Sequence, residues 1–255
     1  MNKIRYFDHA ATTAVDEEVM KKMMPYFSTL YGNASSLYTI GRNSKKAIEE
    51  ARKNVALAIN ADAKEIYFTG CGSESDNIAL KGIAYANREK GNHIITTKIE
   101  HPAVLNSCKN LEKEGFDITY LDVNKEGLIN INDLKTKITD KTILISIMFA
   151  NNEIGTIQPI EEIGRIAKKM KILFHTDAVQ AVGNIMIDVQ KMGIDLLSMS
   201  AHKFYGPKGV GALYIRNGVK CNRLQDGGHQ EKNIRAGTEN VPGIVGLRKS
   251  NTNSL

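Results

Sequence analysis

The chain has 255 residues, enough for one large domain, and a domain of that size buries roughly 70–75% of its unfolded surface, so no metal or disulfide staple is required. At 42% hydrophobic and 24% charged residues, the composition is that of an ordinary globular protein. The net charge of +6 is spread in pairs such as Lys21–Lys22, Lys45–Lys46 and Lys168–Lys169, which argues against nucleic acid and leaves a bias toward small anions.

Taken in chain order, a helix is predicted over residues 16–30, capped by Asp16, and a second over 42–59. A strand at 65–69 then runs into Thr69-Gly70-Cys71-Gly72-Ser73, which opens a helix over 73–89 with Ser73 as its cap and Asp76 three residues on. A strand at 93–97 is followed by Glu100-His101-Pro102 and a helix over 103–114. Strand 117–121, helix 130–138 and strand 142–147 come next, and then Asn151-Asn152-Glu153-Ile154-Gly155. Helix 160–170 precedes strand 172–175, which leads into Thr176-Asp177-Ala178-Val179-Gln180. Strand 195–199 runs into Ser200-Ala201-His202-Lys203, and a last strand covers 211–215. Such alternation predicts an α/β fold: a doubly wound, mostly parallel seven-stranded sheet with helices on both faces and a possible antiparallel edge.

No run reaches the ~20 apolar residues of a membrane span, and the first five residues lack the apolar stretch of a signal peptide, so a cytoplasmic location is expected, with no membrane partner. Cys71, Cys108 and Cys221 are widely spaced, without a CxxC pair, which indicates neither a disulfide framework nor a zinc site. Residues 248–255 turn polar and are expected to form a tail.

In open sheets of this type ligands sit beyond the carboxyl ends of the strands, where the unusual polar residues fall. The Gly72-Ser73 turn at a helix start can hold an anion on free N–H groups, or can be a turn and nothing more. His101 can stack on a flat ring and shuttle protons, or cap the helix that follows. Asn152 can direct its amide into the site, or complete a tight turn. Asp177 can pair with a protonated pyridine nitrogen, with Gln180 reaching a neighbouring ring substituent, or can cap a helix. Lys203 follows two phosphate-competent donors, Ser200 and His202, and precedes a Gly-Pro turn; that setting suits a partly desolvated lysine forming a Schiff base with pyridoxal 5′-phosphate.

These segments resemble the cysteine desulfurases, a branch of the class V aminotransferase-like, fold-type I pyridoxal phosphate enzymes. The likeness extends to Asp8-His9-Ala10-Ala11-Thr12-Thr13, Tyr31-Gly32-Asn33-Ala34-Ser35-Ser36, Glu74-Ser75-Asp76-Asn77 and Arg235-Ala236-Gly237-Thr238-Glu239-Asn240, and runs collinearly from about Tyr6 to Leu247. It implies an arm at 1–13, a cofactor-binding large domain at 14–247 and no C-terminal small domain after the tail. Lys203 is implied as the catalytic lysine, His101 as stacking residue and proton carrier, Asp177 as partner of the pyridinium and Gln180 of the phenolic oxygen. Gly72, Ser73, Ser200 and His202 are implied as the phosphate site, and Thr238 as a contact to the phosphate of a neighbouring subunit in a homodimer. The implied reaction takes sulfur from L-cysteine, giving alanine and a persulfide, for an iron–sulfur scaffold or other sulfur-acceptor protein.

Cys71 stands where the family usually has glycine, at a cost of roughly 1 kcal/mol or more if that position needs positive φ. Tyr38 stands where a histidine is usual, and the small domain that supplies the family's nucleophilic cysteine and an arginine for the substrate carboxylate is not in this sequence. None of the three cysteines matches that nucleophile, and each is expected to be a buried structural thiol. Two alternatives to a desulfurase therefore stand: a non-catalytic cofactor-binding remnant or partner-binding subunit, and a lyase for selenocysteine or another β-substituted amino acid.

Overall fold

A computed structural model describes residues 5–253. The first four residues of the expected arm and the last two of the expected tail lie outside that range. Seven strands form one sheet: β1 (Ile66–Thr69), β2 (His93–Thr97), β3 (Asp117–Leu121), β4 (Thr142–Ser146), β5 (Leu173–Asp177), β6 (Leu196–Ser200) and β7 (Gly211–Ile215). Their spatial order is β1-β7-β6-β5-β4-β2-β3, and β2 to β6 run parallel. Only β7 runs against its neighbours β6 and β1, so the antiparallel element lies near one edge as expected.

Eight α-helices flank the sheet: α1 (Glu17–Met23), α2 (Pro25–Ser28), α3 (Thr39–Ala58), α4 (Gly72–Asn87), α5 (Pro102–Lys113), α6 (Ile131–Lys137), α7 (Ile160–Met170) and α8 (Val241–Asn253). The pleat sends alternate strand residues to opposite faces, and both faces are covered, so the strands read as continuous apolar runs. Ile95, Ile145 and Leu197 join a core completed by α3, α6, α7 and α8; Ile94, Leu144 and Leu196 join one completed by α4 and α5.

Several boundaries differ from the sequence reading for identifiable reasons. The helix expected over 16–30 is two, because Pro25 has no N–H to continue α1 and starts α2 instead; the Asp16 cap is present, accepting from the amides of Glu18 (2.8 Å) and Val19 (3.3 Å). The cap expected at Ser73 is not formed. Cys71 holds the extended cap position at φ −175°, and α4 begins at Gly72 with no side-chain cap. Strand β5 extends to Asp177 and β6 to Ser200, which anchors both residues in the sheet. Helix α8 was not foreseen, since Pro242, Gly243 and Gly246 weaken its signature. Its backbone stays helical to Asn253, through most of the stretch expected as a polar tail.

Candidate active site

The carboxyl ends of β1, β2, β4, β5 and β6 converge on a cavity of about 420 Å³. Its wall includes Gly72 and Ser73 from the β1–α4 turn, His101 from the start of α5, Asn152 from the loop after β4, Asp177 and Gln180 from the end of β5 and beyond, and Ser200, His202 and Lys203 from the end of β6. Nine of the ten residues proposed as a site are thus brought together. Thr238 is not among them. It lies in a smaller, separate cleft with Arg235 and Glu239, where Arg235 Nε meets Glu74 Oε1 at 2.9 Å.

Lys203 sits one 3-10 turn beyond β6, half-buried. Its ammonium donates to the carbonyl oxygens of Ala10 and, at 3.1 Å, Ala11. Burial pulls its pKa below the usual lysine value, against the opposing pull of Asp177, Asp8 and Glu153. A lysine in this state reaches its neutral, nucleophilic form more readily than one in water.

The segment before α1 forms one side of the pocket. Gln180 Nε2 donates to the Ala10 carbonyl (2.9 Å), Thr13 Oγ1 donates to the His202 carbonyl (3.0 Å), and Thr12 Oγ1 lies 3.0 Å from His202 Nδ1. The sequence reading quoted this Asp8–Thr13 run as a family motif without assigning it a place. Its pairing with residues some 190 positions away is a product of the fold.

His101 and Asp177 both line the cavity, and each also accepts a hydrogen bond from a nearby backbone amide. His101 Nδ1 accepts from the Ala103 amide (3.1 Å), so the ring caps α5, and in the neutral ring that acceptor leaves Nε2 to carry the proton. Asp177 accepts from the Val179 amide (2.9 Å), holding the turn after β5, while its carboxyl also faces the cavity. Burial pushes the Asp177 pKa up, opposed by the Val179 amide, His101 and Lys203. For the tandem asparagines the structure divides the labour. Asn151 builds the turn, accepting from the Glu153 and Ile154 amides, and Asn152 lines the cavity.

Asp76 also lines the cavity, and its role was missed. It is 1% exposed on the second turn of α4, and its Oδ1 has no hydrogen-bond partner. His175 Nε2 lies 3.7 Å from that oxygen, itself held between Ser146 (2.8 Å) and Ser198 (3.1 Å). Burial lowers the His175 pKa to about 3 and, with Asp177 nearby, raises that of Asp76 well above its usual value, so both shifts oppose an ion pair at this contact. A buried acid following a glycine turn by four residues was the signal available. Glu100 is likewise buried, accepting from Thr97 Oγ1 (2.7 Å) and the Met148 amide (3.0 Å), and burial lifts its pKa to about 8. It ties the β2 exit to the β4 exit.

Of the three thiols expected to be buried, only Cys108 is fully so. Cys108 is fully buried, and burial drives both its thiol and that of half-buried Cys221 up to about 12. Cys71 is exposed on the cavity wall, because it precedes α4 at the open end of the sheet. Its φ of −175° is ordinary extended backbone, so the anticipated cost of replacing glycine does not arise.

These features define the ligand end of a fold-type I sheet: a half-buried lysine, a buried acid and a helix start around one cavity. The aminotransferase class-V profile matches residues 5–251, and the chain belongs to that family. It is 61% identical over 250 residues to the cysteine desulfurase IscS of Clostridium botulinum, covering 98% of this chain and 63% of the relative. It is also 61% identical over 249 residues to the cysteine desulfurase IscS of Methanosarcina thermophila, covering 98% and 62%. A solved NifS-like protein superposes with a TM-score of 0.95 at 44% identity, covering 98% of this chain and 69% of that one. SspA solved in complex with cysteine gives the same score and identity, with 98% and 72% covered. The chain thus spans about 63% of the length of the IscS relatives. Enzymes of this family use pyridoxal 5′-phosphate.

The residues present fit that cofactor. Gly72 leaves a cradle that a Cβ would close, since one built there meets Val179 Cγ2 at 2.7 Å. The unmet Asp76 oxygen and the buried Asp177 carboxyl create demand for a cation or donor at the cavity floor, as a protonated ring nitrogen supplies.

Proposed function

We propose that the chain is the cofactor-binding part of a cytoplasmic cysteine desulfurase that takes sulfur from L-cysteine and delivers it to an iron–sulfur scaffold or other sulfur-acceptor protein. The observation that carries the reading is Lys203: half-buried, depressed in pKa, and set opposite Asp177 across one cavity. When bound, pyridoxal phosphate supplies an electron sink for negative charge developing at the substrate α-carbon.

The chain's own residues do the rest. Lys203 Nζ would hold the cofactor and would take and return the proton at the substrate α-carbon. Asp177 would hold the ring nitrogen and keep it protonated. His101, fixed by the Ala103 amide, would flank the ring and move a proton through Nε2. Gln180 and Asn152 orient the ring's phenolic oxygen side, and Gly72, Ser73, Ser200 and His202 hold the phosphate. Burial and the positive charges of Lys203 and Lys208 lower the His202 pKa from its usual value.

The proposed homodimer is supported by Thr238, which lies outside its own cavity, and by exposed Phe27, Tyr31, Leu37 and Tyr38 on the N-terminal third. Borohydride reduction of the cofactor-loaded protein should fix the label on the Lys203 peptide, and Lys203→Ala should abolish both the label and the visible absorbance. A label on any other lysine would sink the reading.

A further inference from the structure

The structure places Cys71 where a small reagent can meet it. It is exposed on the wall of the 420 Å³ cavity, in contrast to buried Cys108 and half-buried Cys221. Its carbonyl oxygen is pinned by the Ser75 amide (3.1 Å), Thr69 Oγ1 (3.2 Å) and Ser75 Oγ (3.3 Å), so the backbone carrying the thiol is fixed. A second observation marks the same cavity as one built for an occupant: Asp76, 1% exposed, lines it with Oδ1 unpartnered. An accessible thiol reacts according to its exposure and thiolate content, whereas the other two are held protonated by burial, each up to about 12.

We propose that Cys71 is a thiol modification site, open to small disulfides and alkylating reagents while the cavity lacks its cofactor and closed once the cofactor phosphate rests on Gly72 and Ser73. This rests on the pyridoxal phosphate reading above. In the disulfide reaction the Cys71 thiolate attacks one sulfur, a mixed disulfide forms, and the other half leaves as a thiolate; Cys71 is oxidised and the small disulfide is reduced. The added group occupies the loop that receives the phosphate, so modification and cofactor loading exclude one another.

The test uses the full chain and two readouts. Iodoacetamide labelling followed by peptide mass mapping should show Cys71 modified and Cys108 and Cys221 untouched in the native, cofactor-free protein. With pyridoxal phosphate at ten times its dissociation constant, the Cys71 rate should fall about tenfold. Pretreatment with oxidised glutathione should suppress the visible cofactor absorbance, dithiothreitol should restore it, and Cys71→Ser should load cofactor with or without the disulfide. Unequal protection must be judged against cofactor attached to Lys203 in the same sample. Attachment with an unchanged Cys71 rate overturns this inference alone; no attachment at Lys203 overturns the cofactor reading along with it. Cys108 or Cys221 labelling ahead of Cys71 also refutes the proposal.

Discussion

Two regions of the molecule bury carboxylates, and they treat them in opposite ways. At the sheet edge, Glu231 is 6% exposed and every contact is answered. Arg52 donates through two nitrogens (2.7 and 2.9 Å), and the Phe68 amide donates to the same carboxylate (2.8 Å). Arg52 also donates to the Ile66 carbonyl (2.7 Å) and lies over the Phe68 ring. The outward backbone groups of edge strand β1 are thereby paired by side chains, as a further strand would pair them. Glu231, Lys232 and Asn233 hold positive φ in succession, a strained run that persists because the Glu231 pairing fixes it.

In the cavity, Asp177 and Asp76 are as deeply buried, yet no cation answers Asp177 at close range and one Asp76 oxygen has no partner at all. The edge cluster completes itself, while the cavity keeps a deficit that only a ligand removes. Burial alone does not mark a functional acid, nor does an unpaired oxygen, which Glu100 and Glu239 also carry; Asp76 combines one with a place on the cavity wall.

The largest effect should come from breaking the self-sufficient region. Arg52→Ala leaves Glu231 buried without its cation, and breaking such a pair costs about 3–5 kcal/mol. Denaturant unfolding should show the free energy of unfolding fall by that amount. A double variant, Arg52→Met with Glu231→Leu, should recover only part of it, because the Ile66 carbonyl and Phe68 amide still lose their partners. Full recovery would mean that the edge pairing contributes nothing beyond the ion pair.

Asp177→Asn should do the reverse and leave the cofactor-free fold as stable or more so. The sign follows from burial: a carboxyl whose folded pKa lies above its unfolded value binds more protons folded than unfolded in the interval between the two. Its contribution therefore disfavours the folded state increasingly as pH rises through that interval. The variant should show a flatter stability-against-pH curve in the absence of cofactor. Loss of the charge-assisted hydrogen bond, worth about 1.5–3 kcal/mol, should weaken pyridoxal phosphate binding roughly 10- to 150-fold in a titration of the visible band. Unchanged affinity would remove Asp177 from the proposed site.

How much of this was legible beforehand divides along the same line. The strands themselves and the run of polar residues at their ends follow from apolar runs and punctuation, which are local, so Lys203, His101 and Asp177 could be singled out from the sequence, whereas the spatial strand order could not. The edge cluster could not, because Arg52 lies in the middle of α3 and Glu231 some 179 residues later, and neither carries a local signature. Asp76 was visible as a letter in a motif, but its unpaired oxygen depends on where β5 and β6 bring His175 and Ser198. The Ser73 cap failed for a related reason. Cap chemistry at that turn competes with leaving the first amides of α4 open, and α4 leaves them open.

The smallest effect tests the one place where composition misled. Glycine at position 71 appeared to be the conformationally safer residue, with cysteine the strained departure. Because Cys71 sits at φ −175°, which any residue adopts, Cys71→Gly relieves no strain and instead enlarges the conformational freedom of the unfolded chain. The substitution should therefore destabilise the cofactor-free protein by about 0.4–1 kcal/mol in denaturant unfolding. A gain in stability would require a positive-φ conformation at this turn, and with it a different arrangement of the amides that open α4.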